Sequence, residues 1–218
     1  MVIKKISTLF LLVMFVSQAF CQNPEQSYSP SDKDSVADFK FRISSPWHTF
    51  AKFKNDLPSV QMYELHFKYD IDSKNILGLK FATWRLFQPM GILWWDGLLD
   101  KLDSQTEFYP GFVRYTGLGV TYQRMLWKGL FATVEILPQL KTYLDEDKNK
   151  VGNGFKLYTS YHIGYHIPFF KGRMFVEPQI HCQYWPVDIN TPESFKEIDD
   201  KWRNYFLFEP NLYIGVKF

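Results

Sequence analysis

The sequence predicts an all-β chain, an eight-stranded antiparallel up-and-down β-barrel, and three observations carry that prediction. Apolar and polar residues alternate with period 2 in eight separate segments between residues 36 and 218. Long and tight connections alternate between those segments. The last segment keeps its alternation to the final residue, Phe218.

The clearest segment is 61–71, where Tyr63, Leu65, Phe67, Tyr69 and Ile71 fall on one face and Glu64, His66, Lys68 and Asp70 on the other. Segment 154–167 sets Phe155, Leu157, Thr159, Tyr161, Ile163, Tyr165 and Ile167 against Lys156, Tyr158, Ser160, His162, Gly164 and His166. Segment 204–218 sets Phe206, Phe208, Pro210, Leu212, Ile214, Val216 and Phe218 against Leu207, Glu209, Asn211, Tyr213, Gly215 and Lys217. Weaker alternation marks 37–43, 76–85, 112–124, 130–143 and 174–185. Pro138, Pro178 and Pro210 interrupt three apolar rows. A closed barrel has no free edge to excuse a missing amide donor, so local bulges are expected there.

Three connections are tight (72–75, 126–129 and 169–173) and four are long (44–60, 86–111, 144–153 and 187–203), in strict alternation beginning with a long one. Outer-membrane barrels have short periplasmic turns, long extracellular loops and periplasmic termini. The order here predicts the same arrangement.

Alternation alone does not say which face is inside, because a soluble barrel turns its apolar rows inward. The rows here run unbroken for about the ~9–11 residues of a tilted membrane strand. Aromatic residues, 19% of the chain, cluster toward row ends as interfacial girdles do. The polar rows mix charge signs, with Glu64 near Lys68, Glu135 near Lys141 and Glu209 near Lys217. The expectation is a transmembrane barrel with a polar interior. The alternative is a secreted soluble barrel binding an apolar ligand. A mean hydropathy of −0.24 does not exclude the first reading, since only every second strand residue meets lipid.

Residues 1–21 read as a signal peptide: Lys4 and Lys5, an apolar stretch from Leu9 to Val16, then Ala19-Phe20-Cys21 before Gln22. A lipoprotein signal acylated at Cys21 is the rival, opposed by the bulk of Phe20. Residues 22–35 read as a flexible periplasmic lead-in and 36–218 as the barrel. If Cys21 leaves with the leader, Cys182 has no disulfide partner. No later stretch approaches the ~20 apolar residues of a membrane helix. Lys and Arg number 25 against 23 Asp and Glu, a balance that points to no nucleic-acid partner.

The terminal run Tyr205-Phe-Leu-Phe-Glu-Pro-Asn-Leu-Tyr-Ile-Gly-Val-Lys-Phe218 resembles the last strand of outer-membrane barrels. In those proteins it is the signal read by the barrel-assembly machinery. Together with the leader, the chain resembles the small eight-stranded outer-membrane barrels of Bacteroidota-type bacteria. The resemblance covers 36–218 as architecture and only the last strand as a motif, with Tyr213 and Phe218 as its signal residues. It implies an outer-membrane location and an assembly route, with outer-membrane lipid and the assembly machinery as the expected partners. It carries over no active-site residues.

Four of the five histidines (His66, His162, His166 and His181) fall on inward rows with Glu64, Glu135, Glu177 and Glu209. His162 and His166 lie about 13 Å apart on one strand, too far to share a metal. Glu135 or His181 beside His162 would make a general-base pair or a metal site. The plainer reading is a lumen whose charges pair because unpaired burial is costly. Barrels of this size include lipid A-modifying enzymes, so Ser160, His162, Glu135 and His181 are the catalytic candidates of that alternative, although the deacylase His-Ser-Asn signature is absent.

In the connection 86–111, Trp94, Trp95, Leu98, Leu99 and Leu102 recur at helical spacing opposite Asp96, Asp100 and Asp103. That suggests a short amphipathic helix packing on the rim or meeting a surface partner. Residues 144–153 lack the spacing of a calcium loop. An interior holding Trp84, Phe131, Tyr158, Phe175 and Trp185 leaves no room for a pore. No nucleotide, zinc or nucleophile-elbow motif is present. The sequence therefore predicts a monomeric outer-membrane barrel with a structural or surface-interaction role, without cofactor or metal.

Overall fold

The computed structural model of the chain describes residues 39–49, 61–90 and 108–218. Among them nine strand segments form one antiparallel sheet: β1 (Phe41–Pro46), β2 (Gln61–Asp70), β3 (Asn75–Leu86), β4 (Phe112–Trp127), β5 (Leu130–Leu144), β6 (Lys150–Tyr165), β7 (Ile167–Phe169), β8 (Met174–Ile189) and β9 (Tyr205–Lys217). The short β7 continues β6 along β8, so the closed barrel has eight strands and one extra segment. Closure runs through β1 and β9. Phe41 and Phe218 exchange both backbone hydrogen bonds, at 3.0 and 2.9 Å, and the register continues to Pro46↔Tyr213. The expected pairing of the last strand with the first is observed, and it removes the unpaired edge that an open sheet would expose.

Facing follows the alternation. Glu64, His66 and Lys68 are buried, whereas Tyr63, Leu65, Phe67 and Tyr69 between them stay 40–50% exposed. Trp84, Phe131, Tyr158, Phe175 and Trp185 all lie inside. At Gly215 the ring of Phe175 occupies the space a Cβ would need, so the bulky aromatic is accommodated by an absent side chain. The turns have local causes. Lys128 (φ 44°) and Gly129 (φ 96°) form a two-residue primed turn whose twist matches the β4–β5 hairpin. In the β2–β3 turn the Asp72 carboxylate accepts from the amides of Lys74 and Asn75 at 2.7 and 2.8 Å.

Several boundaries differ from the sequence reading. Strand β1 begins at Phe41 and runs to Pro46, followed by a 3-10 turn, Trp47–Thr49, where a loop was expected. Strands β5 and β6 keep pairing to Leu144↔Lys150, which shrinks the expected long connection to residues 145–149. Strand β8 extends to Ile189, and a short helix, α1 (Glu193–Asp199), lies in the last connection. Phe206 was expected on the outward row but is buried inside, 5% exposed. The register between β8 and β9 shifts between His181↔Glu209 and Gln183↔Phe206, and Phe208 takes φ 58°. This bulge inverts the facing beyond it. It adjoins Pro210, as expected, whereas Pro138↔Leu157 and Pro178↔Leu212 sit in unshifted register.

Candidate functional site

The inward rows stack into three levels, and register decides which charges meet at each. Nearest the tight turns, the Arg42 guanidinium donates twice to Asp70, at 2.6 and 2.5 Å. Beside it Glu177 accepts from Gln123 at 3.2 Å and meets His166 Nδ1 at 2.9 Å and Lys68 Nζ at 3.4 Å.

The middle level is centred on Lys80. Its ammonium lies 2.8 Å from Glu135 and 3.0 Å from Glu64, bridging two carboxylates on different strands. Glu64 also accepts from the Tyr213 hydroxyl at 3.2 Å, and the His66 ring stands edge-on to Tyr213. Ser160 donates to Glu135 at 3.0 Å and contacts His162 Nε2 at 2.8 Å. His181 faces His162 directly across β6 and β8, with ring centroids 4.8 Å apart, and meets Glu209 at 2.6 Å. His48 in the 3-10 turn senses the same carboxylates. Burial holds its imidazole below the ordinary pKa, against the pull of Glu64 and Glu209.

The four catalytic candidates Ser160, His162, Glu135 and His181 are thus brought together, but in an arrangement suited to structure. The single Ser160 proton is contested by a carboxylate and an imidazole, with Glu135 at 3.0 Å and His162 Nε2 at 2.8 Å; a nucleophile hands it to the imidazole alone. Glu135 lies 3.5 Å from Nε2, the nitrogen that meets the serine, whereas in a triad the acid holds the opposite nitrogen. Ser160 is wholly buried. Among the described residues, no three His, Cys, Asp or Glu side chains are placed to hold a metal ion.

The loop-end level is aromatic. Trp84, Tyr115, Tyr143, Tyr158 and Trp185 converge there, and Phe195 of α1 plugs them from above, 4.9 Å from Tyr143 and 5.2 Å from Tyr109. Seven residues are too few for a self-sustaining helix. Glu193 suits its N-terminal turn and Phe195 anchors it. The Tyr109 hydroxyl donates to Asp199, fixing the far end of α1. Burial raises the pKa of both groups. Lys156 lies over the Trp185 ring at 4.6 Å and pairs with Asp188 at 3.1 Å, while Lys141 pairs with the same carboxylate. Beside this plug a cleft of about 730 Å³ is lined by Met90, Lys156, Trp185, Asp188, Lys196 and Arg203 among others.

Of the residues singled out in the sequence, Phe218 stands outward on the closing strand, and Tyr213 is inside, bonded to Glu64. Trp94, Trp95, Leu98 and Leu99 lie outside the described residues. The sequence reading missed Lys80, whose two partners come from other strands, and Asp188, which lay in an expected loop. No protein-family model, curated protein or solved structure matches the chain.

Proposed function

We propose that this chain is an outer-membrane β-barrel with a structural or surface-interaction role, its termini and tight turns periplasmic and its long connections outside. One observation carries the reading: the barrel is inverted relative to a soluble one, with its ionic groups buried and its apolar rows exposed around the wall. Row by row, Phe67↔Leu79↔Val120↔Ile136 and Tyr69↔Leu77↔Tyr122↔Val134 run across four strands with apolar side chains outward. Leu118 is 64% exposed and Leu140 67%. So extensive an apolar surface would drive a soluble chain to aggregate.

The height of the belt agrees. On β4 the outward row runs Arg114, Thr116, Leu118, Val120, Tyr122, Arg124, so two arginines bound the apolar stretch ten residues apart. At ~3.3 Å per residue and a tilt of ~40° this projects to roughly 25 Å, the height of the apolar band in such barrels. Tyrosines mark its turn-side margin in register, Tyr69 with Leu77 and Leu77 with Tyr122. An up-facing cleft beside α1 is the place for a surface role.

Two measurements test this. The protein should fractionate with the outer membrane and migrate faster on a gel before boiling than after it. Val120→Arg, at the middle of the belt, should cost about 2–4 kcal/mol of folding stability in lipid bilayers. In a water-exposed wall the same change would be close to neutral, and that result would remove the membrane reading.

A further inference from the structure

We infer that the tight-turn end of the barrel is a cationic and aromatic collar that binds anionic phospholipid headgroups of the leaflet on that side, through Lys74, Lys128 and Lys171. The inference rests on the membrane reading above and names a ligand for one end of the barrel.

The turns that join β2 to β3, β4 to β5 and β7 to β8 all lie at this end, spaced around the rim, and each carries an exposed lysine. Both strands flanking each turn are described throughout. Among the described residues none of these three ammonium groups meets a carboxylate. The acids nearby are engaged elsewhere. Asp70 takes both bonds from Arg42, and Glu177 is held inside by Lys68 and His166. Asp72 accepts from two turn amides and from the Asn75 side chain. Arg124 adds a further cation, but it donates to Asn75 at 2.8 Å and so fastens a turn.

Backbone geometry gives no reason for lysine at these places. Lys128 and Lys171 take φ 44° and 55°, and Phe170 φ 47°, in the left-handed region where Gly, Asn or Asp is least strained. In the β2–β3 turn Asp72 and Asn75 make the side-chain bonds and leave the Lys74 ammonium out of them. Side chains kept against local preference point to a role of their own. Their partner must also answer apolar groups, because Leu126, Trp127 and Phe170 stand 52–72% exposed at the same turns. The Lys128 ammonium lies 5.1 Å from the centre of the Trp127 ring, so cation and indole present one surface. A soluble polyanion would answer the charges and leave the rings in water. At headgroup depth the rings meet acyl chains while the ammonium groups reach the phosphates. The apolar wall runs down to this level, ending in the row Tyr69↔Leu77↔Tyr122↔Val134.

The test titrates the full-length barrel in zwitterionic micelles with phosphatidylglycerol, with phosphatidylcholine of the same acyl chains, with soluble glycerol phosphate and with an acidic peptidoglycan fragment, counting retained ligand by native mass spectrometry. The expected result is about fivefold or greater preference for phosphatidylglycerol over phosphatidylcholine. It should be lost in the Lys74→Gln/Lys128→Asn/Lys171→Asn variant and kept in Lys148→Asn/Lys150→Gln, a matched control at the loop end where Lys148 is also left-handed, at φ 68°. The urea midpoint of the triple variant should match or exceed that of wild type, because asparagine suits left-handed backbone better than lysine. Equal preference in wild type and triple variant, or an equal loss in the loop-end control, would overturn the inference. A lost preference accompanied by a lowered urea midpoint would assign the lysines to the turns and overturn it too. Glycerol phosphate or the peptidoglycan fragment retained as well as phosphatidylglycerol would overturn the lipid assignment. If the chain neither fractionates with the membrane nor shifts on boiling, the membrane reading itself has failed. If it does both and still ignores headgroup charge, only the collar has.

Discussion

At the loop end of the barrel Phe195 is buried against Tyr109 and Tyr143, while deeper in the same barrel Lys80 is buried between Glu64 and Glu135. The first region fills its space with rings and a helical plug. The second fills it with ions that pay for their dehydration by pairing. The difference decides how each can fail. Aromatic packing loses energy in proportion to the contact removed, and α1 can leave as a unit. The ionic levels are linked across strands, so deleting one member leaves another charge stranded in a dry interior. Lys80 joins the two regions, since its ammonium also lies 5.8 Å from the Trp84 ring and 5.9 Å from that of Tyr158.

The contrast is sharpest at Lys80. Lys80→Met leaves two carboxylates without their shared cation and should cost about 3–5 kcal/mol, measured as the urea midpoint of the refolded barrel. A loss under about 1 kcal/mol would mean that water already screens the ionic levels, erasing the distinction between the regions. Phe195→Ala should cost about 3 kcal/mol, the low end for a buried phenylalanine, and the loss should be local. Protease cleavage between residues 193 and 203 should accelerate while the gel shift on boiling stays intact. Loss of that shift would show that plug and barrel fold as one unit.

A smaller effect separates the regions by pH. Burial raises the pKa of Asp199, with Lys156 and the Tyr109 hydroxyl pulling it back. The docked helix therefore holds a proton more tightly than a released one. The resulting stabilisation is full below the ordinary aspartate pKa and is lost as pH rises through the raised value. Hydrogen exchange of the α1 amides, corrected for intrinsic rates, should show more protection in acid than at neutral pH, and Asp199→Asn should flatten the dependence. The smallest expected effect lies at the opposite end. The pKa of Asp72 is lowered by its bonds to Asn75 and Lys74, so its contribution exists above the ordinary value and fades as pH falls through the depressed one. Asp72→Ala should loosen the β2–β3 turn without touching α1, and any change in α1 protection would contradict the separation.

How much of this was legible depended on the range of the forces involved. The facing of β2 and β6 was plain, because alternation is a property of neighbouring residues and His66, Ser160 and His162 went where parity sent them. The meeting of His162 with Glu135 and His181 followed from counting strands. The hub at Lys80 did not, because its bond to Glu135 spans 55 residues and depends on two registers at once. The along-strand pairs suggested by the sequence, such as Glu64 with Lys68, gave way to cross-strand ones. Helix α1 was hidden for a related reason: too short to show a stable period, it exists by inserting Phe195 into rings from β5 and the β3–β4 connection.

Alternation, turn chemistry and the order of connections were therefore enough to specify a closed eight-stranded barrel, since each acts over a few residues and repeats along the chain. Tertiary structure decided the rest. The bulge that turns Phe206 inward is set by the partner strand β8, and the capping of the mouth by α1 rests on rings brought from distant segments. These features depend on strand register, which is settled only when the sheet closes and every backbone donor must find one partner.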